Sequence, residues 1–138
     1  MMVLVETSVW SVAFRRSREN LSAREKTMRS ALETMIAEGR VALLGPIRQE
    51  LLTGIREERQ FLRLRNSLRA FPDISLTVED YEEAAKLSNL CRSHGVAGSP
   101  VDLLICSVAL LRDWTIFTLD RDFARYVRHI PVRSMGLA

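Results

Sequence analysis

Residues 103–111 read LLICSVALL, an uninterrupted stretch without a charge, opened by Ser99-Pro100-Val101-Asp102 and closed by Arg112. A serine followed by proline marks a helix start. A helix this apolar has no face to offer water, so it must lie at the centre of a domain and be covered on every side. The rest of the chain supplies the cover. VLV at 3–5, VALL at 41–44, ISL at 74–76 and TIFTL at 115–119 are short, unbroken apolar runs, the pattern of strands buried on both faces of a parallel sheet. A last edge strand is expected near Val132. Helical patterns fill the intervals. Strands alternating with helices imply an α/β fold, a three-layer α/β/α sandwich on a mostly parallel sheet of about four or five strands.

The helices carry local signatures. Val9, Trp10, Val12, Ala13 and Phe14 suggest a short helix after the first strand, followed by the charged linker RRSREN. Ser22 with Glu25, and Thr77 with Asp80, are capping-box pairs. Met28, Leu32, Met35 and Ile36 recur at helical spacing and stop at Gly39. Gly45-Pro46 opens a helix with Ile47, Leu51, Leu52 and Ile55 on one face, and a further helical stretch covers roughly 57–70. A short helix is expected after Asp122. No internal repeat, low-complexity tract or linker divides the 138 residues, so 1–138 reads as a single domain, long enough to bury a core without staples.

Several function classes drop out. No apolar run approaches the roughly 18 residues of a membrane helix. MMVLVETSVW lacks a basic leader and is interrupted by Glu6, so it reads as a buried strand and not a signal peptide. Cys91 and Cys106 form no CxxC pair, and His94 and His129 have no zinc spacing. Reduced, buried thiols imply a cytoplasmic location. The net charge is +3, and the positive residues are almost all Arg, with Lys only at 26 and 86. Arginine suits phosphate and base contacts; a GC-rich coding bias produces the same enrichment.

The acidic residues take meaning from the sheet. In folds of this kind ligands bind beyond the carboxyl ends of the strands. Glu6 follows the first strand and Asp120 follows TIFTL, so both belong to that edge. Glu50 and Asp102 are placed in the first turns of helices that start there. Converging carboxylates repel one another and must take up protons or a cation. Magnesium or manganese, hard ions with oxygen ligands, fit that demand and activate water against a phosphodiester. Each acid also has a plainer reading: Asp102 completes a capping box with Ser99, Glu50 favours a helix dipole, and Asp120 and Asp122 form a turn and a helix cap. Glu6 is harder to explain away, because an acid directly after a buried strand is costly without a partner.

Four segments, in order, carry a resemblance. VLVETSVW resembles the V-x-x-D-T-S-V-W opening of PIN-domain proteins, above all the VapC-like toxins of bacterial and archaeal toxin–antitoxin pairs. RQELLTG, SPVDLLICSVAL and IFTLDRDF resemble their later acidic segments, so the likeness spans nearly the whole chain. It implies a magnesium-dependent endoribonuclease, a homodimer, and a cognate antitoxin whose tail occupies the acidic site. Carried over by position, the catalytic acids are Glu6, Glu50, Asp102 and Asp120. The metal ligands are Glu6, Asp102 and Asp120, with Asp122 sharing or seconding the last role. Ser8 and Thr118 match the family's small polar neighbours, which would orient a carboxylate or a metal-bound water. The backbone of RNA is expected on Arg15, Arg16 and Arg121, and an antitoxin helix on the apolar face of the 47–70 helices. One departure stands out: the family has Asp at the first position and here it is Glu6. One methylene moves the carboxylate by roughly 1 to 1.5 Å, so the expectation is an intact fold with reduced turnover, restored by Glu6→Asp.

Two other readings compete. A PIN-like module that holds RNA or an antitoxin without cutting is favoured by Glu6 and separated by manganese titration. A receiver-type phosphotransfer domain needs adjacent acids after the first strand and a phosphoacceptor Asp ending a central strand, and here a single acid follows VLV while Thr77 follows ISL. No GxxxxGK[ST] occurs, which removes P-loop enzymes.

Overall fold

The computed structural model describes residues 1–137. Its sheet has four strands: β1 (Val3–Val5), β2 (Val41–Ala42), β3 (Thr115–Phe117) and β4 (Arg133–Met135). Their order is β2-β1-β3-β4 and every pairing is parallel. Leu4 sits opposite Ala42 on one side and Ile116 on the other, and Ile116 opposite Ser134. All four carboxyl ends therefore reach one edge. Backbone bonds carry the pairing just past the strands, from Glu6 N to Phe117 O at 2.9 Å and from Thr118 N to Met135 O at 3.1 Å.

Seven α-helices among the described residues cover the sheet: α1 (Thr7–Phe14), α2 (Ala23–Ala37), α3 (Gly45–Leu52), α4 (Glu58–Leu68), α5 (Val78–Ser93), α6 (Pro100–Arg112) and α7 (Asp122–Tyr126). The apolar run at 103–111 is α6, and Leu103 through Ala109 are buried, as a helix without a polar face requires. α5 packs along it. On the other side of the molecule Trp10 is wholly buried against Phe14 and Phe71, and its Nε1 donates to Val5 O at 2.9 Å, which pins α1 to the end of β1. Both capping boxes form, at Ser22/Glu25 and Thr77/Asp80.

Four expectations need correction. ISL at 74–76 is no strand: the only ladder contact there is an isolated bridge between Leu43 and Asp73. Guanidinium groups take one carbonyl of this segment and several acceptors just before it. Arg48 donates to Leu68 O (3.0 Å), Phe71 O (2.5 Å) and Asp73 Oδ1 (2.8 Å), and Arg112 to Ser75 O (3.3 Å). Pro72 has no N–H to give. TIFTL is strand only through Phe117, with one more ladder bond at Thr118 N, because the Leu119 N–H turns to Ser8 Oγ. Glu50 lies in the second turn of α3, five residues after Gly45, so it gains nothing from the helix N-terminus. The apolar stripe of α3 and α4 faces the protein's own core through Ile47, Leu51, Leu64 and Leu68.

Candidate metal centre

Beyond the carboxyl edge the chain brings three aspartates together. Asp102 enters from the first turn of α6, Asp120 from the turn after β3, and Asp122 from the start of α7. Each offers one carboxylate oxygen, and these oxygens lie within 4.8 Å of one another. Among the described residues the only ion pair the three make is Asp122 with Arg125, at 3.7 Å on the surface. The cluster is thus oxygen-rich and short of positive charge, the donor set that suits a hard divalent cation.

Local bonds aim these side chains. Ser99 Oγ accepts from Asp102 N at 3.1 Å and starts α6, but the Asp102 carboxylate makes no return bond to the Ser99 backbone. Half a capping box leaves that carboxylate available, and Tyr126 OH donates to its Oδ2 at 2.7 Å. Tyr126 is 2% exposed, edge-on to Phe123, and its ring passes over Gly98, where a Cβ would stand 2.8 Å from Cε1. Glycine is therefore required at that crossing. Asp120 N donates to Thr118 Oγ1 at 3.0 Å, and Asp122 N to Asp120 Oδ1 at 2.9 Å, which folds the turn so that both acids face Asp102.

Burial raises the Asp102 pKa above its ordinary value; the hydrogen bond from Tyr126 works against that, and the charges of Asp120 and Asp122 add to it. Burial, the Tyr126–Asp102 hydrogen bond and the neighbouring acids push the Tyr126 phenol up, so it stays a donor.

The other expected site residues sit around this trio. Glu6 is 6% exposed and caps α1 with its side chain. It is not one of the three converging carboxylates. Its Oε1 accepts from Ser8 N (3.1 Å), Ser8 Oγ (2.5 Å) and Thr118 Oγ1 (2.7 Å). Burial raises its pKa, opposed by those hydrogen bonds and assisted by the charge of Asp120. Glu50 also stands outside the trio: its Oε2 accepts from Thr7 Oγ1 at 2.9 Å, and it shares a surface hollow with Thr7 and Val101, the residue before Asp102. Arg16 is engaged by Glu25 and by Asn20 O. Arg15 is exposed at the end of α1 and lines a cleft with Arg29, Arg56 and Arg63; Arg121 is exposed beside Asp120. Tyr126 was not singled out by the sequence, and no local pattern links it to an acid 24 positions earlier.

With this geometry in hand, comparison adds kinship. The family model of the PIN domain matches residues 3–128. Sequence comparison with curated proteins finds no significant match. Among solved structures, FitAcB from Neisseria gonorrhoeae aligns with a TM-score of 0.74 at 19% identity over 96% of each chain. VapBC2 from Rickettsia felis, bound to a DNA fragment from its promoter, aligns at 0.76 and 18% over 97% of each. DNA-bound VapBC from Salmonella typhimurium aligns at 0.70 and 13% over 97% of this chain and 96% of that one. At such identities the likeness concerns the fold.

Proposed function

The chain belongs to the PIN-domain family, whose members are generally nucleases, and from that premise we propose that it is a metal-dependent endoribonuclease acting as the toxin of a toxin–antitoxin pair. The observation that carries the proposal is the meeting of Asp102, Asp120 and Asp122 from three separate segments. These residues would hold a magnesium or manganese ion. Such an ion, when bound, lowers the pKa of a water and offsets charge on a phosphodiester under attack.

The chain's own groups divide the remaining work. Tyr126 holds Asp102 Oδ2 and keeps that carboxylate turned toward Asp120 and Asp122. Glu50, held at Oε2 by Thr7, would take a proton at Oε1 from a water whose oxygen bonds to phosphorus, while the bond from phosphorus to the ribose oxygen breaks and that oxygen leaves with a proton from solvent. Arg121, beside Asp120, and Arg15, at the cleft of α1, α2 and α4, are placed to hold the RNA backbone, which an acidic site would otherwise repel.

An antitoxin partner is part of the proposal. Its support is that FitAcB and both VapBC structures share this fold. The docking region is the cleft between α1, α2 and α4, with Phe14, Ile55 and Leu64 as its apolar floor and the arginines as its rim. A second reading, a module that binds RNA or antitoxin without cutting, is favoured by the enclosure of Glu6 Oε1 in hydrogen bonds.

The test is RNA cleavage with Mg²⁺ or Mn²⁺ and after chelation, on the wild type, Asp102→Asn and Asp120→Asn. The wild type is expected to cut only with metal, and each variant to lose about a hundredfold or more. Cleavage that survives in both variants sinks the proposal, and a wild type that binds Mn²⁺ without cutting RNA selects the second reading.

A further inference from the structure

Glu6 occupies an unusual position in the hydrogen-bond order of the site. Three donors meet on its Oε1: Ser8 N, Ser8 Oγ and Thr118 Oγ1, at 3.1, 2.5 and 2.7 Å. A hydroxyl has one proton to donate. Both hydroxyls place theirs on Glu6, and their lone pairs then face the chain after β3. Ser8 Oγ accepts from Leu119 N at 2.9 Å, and Thr118 Oγ1 accepts from Asp120 N at 3.0 Å. The backbone amides of two successive residues, the second a member of the aspartate trio, are therefore held by hydroxyls whose direction one carboxylate oxygen dictates.

The other oxygen plays no part in this. Glu6 Oε2 makes no hydrogen bond among the described residues, and no buried side-chain polar atom among them lacks a partner, so Oε2 touches solvent. The three carboxylate oxygens that converge within 4.8 Å do not include one from Glu6.

We propose that Glu6 is a positioning residue: its Oε1, through the Ser8 and Thr118 hydroxyls, sets the backbone of Leu119 and Asp120 and so aims the Asp120 carboxylate, while Asp102, Asp120 and Asp122 make the direct contacts to the cation. The cation part of this rests on the metal centre proposed above; the backbone part does not.

Two readouts test it: amide hydrogen exchange of Leu119 and Asp120 in metal-free protein, and Mn²⁺ affinity by isothermal titration. Glu6→Gln keeps an acceptor oxygen and places its amide nitrogen where Oε2 meets solvent. Glu6→Ala removes the acceptor. In Glu6→Ala the two amides are expected to exchange about tenfold faster or more, with α5 unchanged, and Mn²⁺ to bind about tenfold more weakly. Glu6→Gln is expected to stay within about threefold of wild type on both.

If Glu6→Gln loses Mn²⁺ as severely as Asp102→Asn while the two amides stay protected, Glu6 is a ligand and the proposal is overturned. If Glu6→Ala only lowers the melting temperature, with Mn²⁺ affinity and both amides untouched, the role is merely structural and the proposal is equally overturned. Should Glu6→Ala fail to fold, Thr118→Val removes the hydroxyl while keeping the shape, and the Asp120 amide is expected to lose protection in the same way. A wild type that takes up no Mn²⁺ counts against the metal centre alone, and the exchange measurement still decides the positioning role.

Discussion

Asp102 shows how one side chain acquires a task. Its backbone N–H starts α6 on Ser99 Oγ, and its carboxylate, released from capping duty, is taken by the Tyr126 hydroxyl. Tyr126→Phe keeps the ring on Phe123 and removes only that donor, so it is expected to cost about 1 kcal/mol of stability and to weaken Mn²⁺ binding about tenfold; denaturation and titration calorimetry measure the two. The raised pKa values of Asp102 and Glu6 also fix a sign. An acid whose folded pKa lies above its unfolded one stabilises most below the unfolded pKa, and that contribution is lost as pH rises through the folded value. Metal-free protein is therefore expected to lose stability from these two groups as pH climbs out of the ordinary carboxylate range. Asp80 runs the other way: the Arg112 hydrogen bonds hold its pKa down, so its contribution is lost only as pH falls below that range. Urea unfolding across pH, with and without Mn²⁺, separates the two, since a bound cation should flatten the first trend and leave the second.

At the scale of elements, α5 and α6 are tied by an ion pair between a buried acid and a half-buried arginine. Asp80 is 1% exposed, and Arg112 grips both its oxygens at 2.7 and 2.9 Å. Ser107 Oγ donates to Asp80 O at 2.6 Å, and the Arg112 guanidinium lies over Trp114. The Asp80 carboxylate closes the Thr77 capping box as well, so one residue both starts α5 and ties it to the end of α6. Arg112→Ala leaves that carboxylate buried without a cation and is expected to cost about 3 kcal/mol or more. Guanidinium unfolding reads the loss, while the Mn²⁺ affinity of the folded variant is expected to hold, because the aspartate trio lies at the opposite end of α6.

Across the whole molecule, the sheet gathers the acids on one edge and leaves apolar surface elsewhere. Val78, Tyr81 and Leu111 on α5 and α6 are 74, 56 and 40% exposed, beside a hollow lined by Ala84, Pro100, Val101 and Leu104. Covering such a face with a second copy would remove it from water. Sedimentation is expected to give twice the chain mass for the wild type and the single chain mass for Val78→Glu/Tyr81→Glu; a monomeric wild type would refute the homodimer. No helix among the described residues is long and apolar enough to cross a membrane.

The sequence by itself determined whatever depends on neighbours a few positions apart. Capping pairs at Ser22 and Thr77, the buried character of α6 and the alternation of strands with helices all follow from local periodicity and local hydrogen bonds, and they sufficed to set the parallel sheet and the edge where Glu6 and Asp120 emerge. Only the tertiary structure decided which acids meet. Tyr126 reaches Asp102 across 24 positions and Thr118 reaches Glu6 across 112, and such contacts depend on where α7 lies against α6 and on the register of β1 with β3. Residues 74–76 make the same point in reverse. Their composition suits a strand, but Arg112, distant in sequence, takes the Ser75 carbonyl, and Arg48 holds Phe71 O just before the segment. A chain's local code writes its elements; the pairing of polar groups between them is settled by packing, where each buried donor and acceptor finds its partner among residues no local pattern connects.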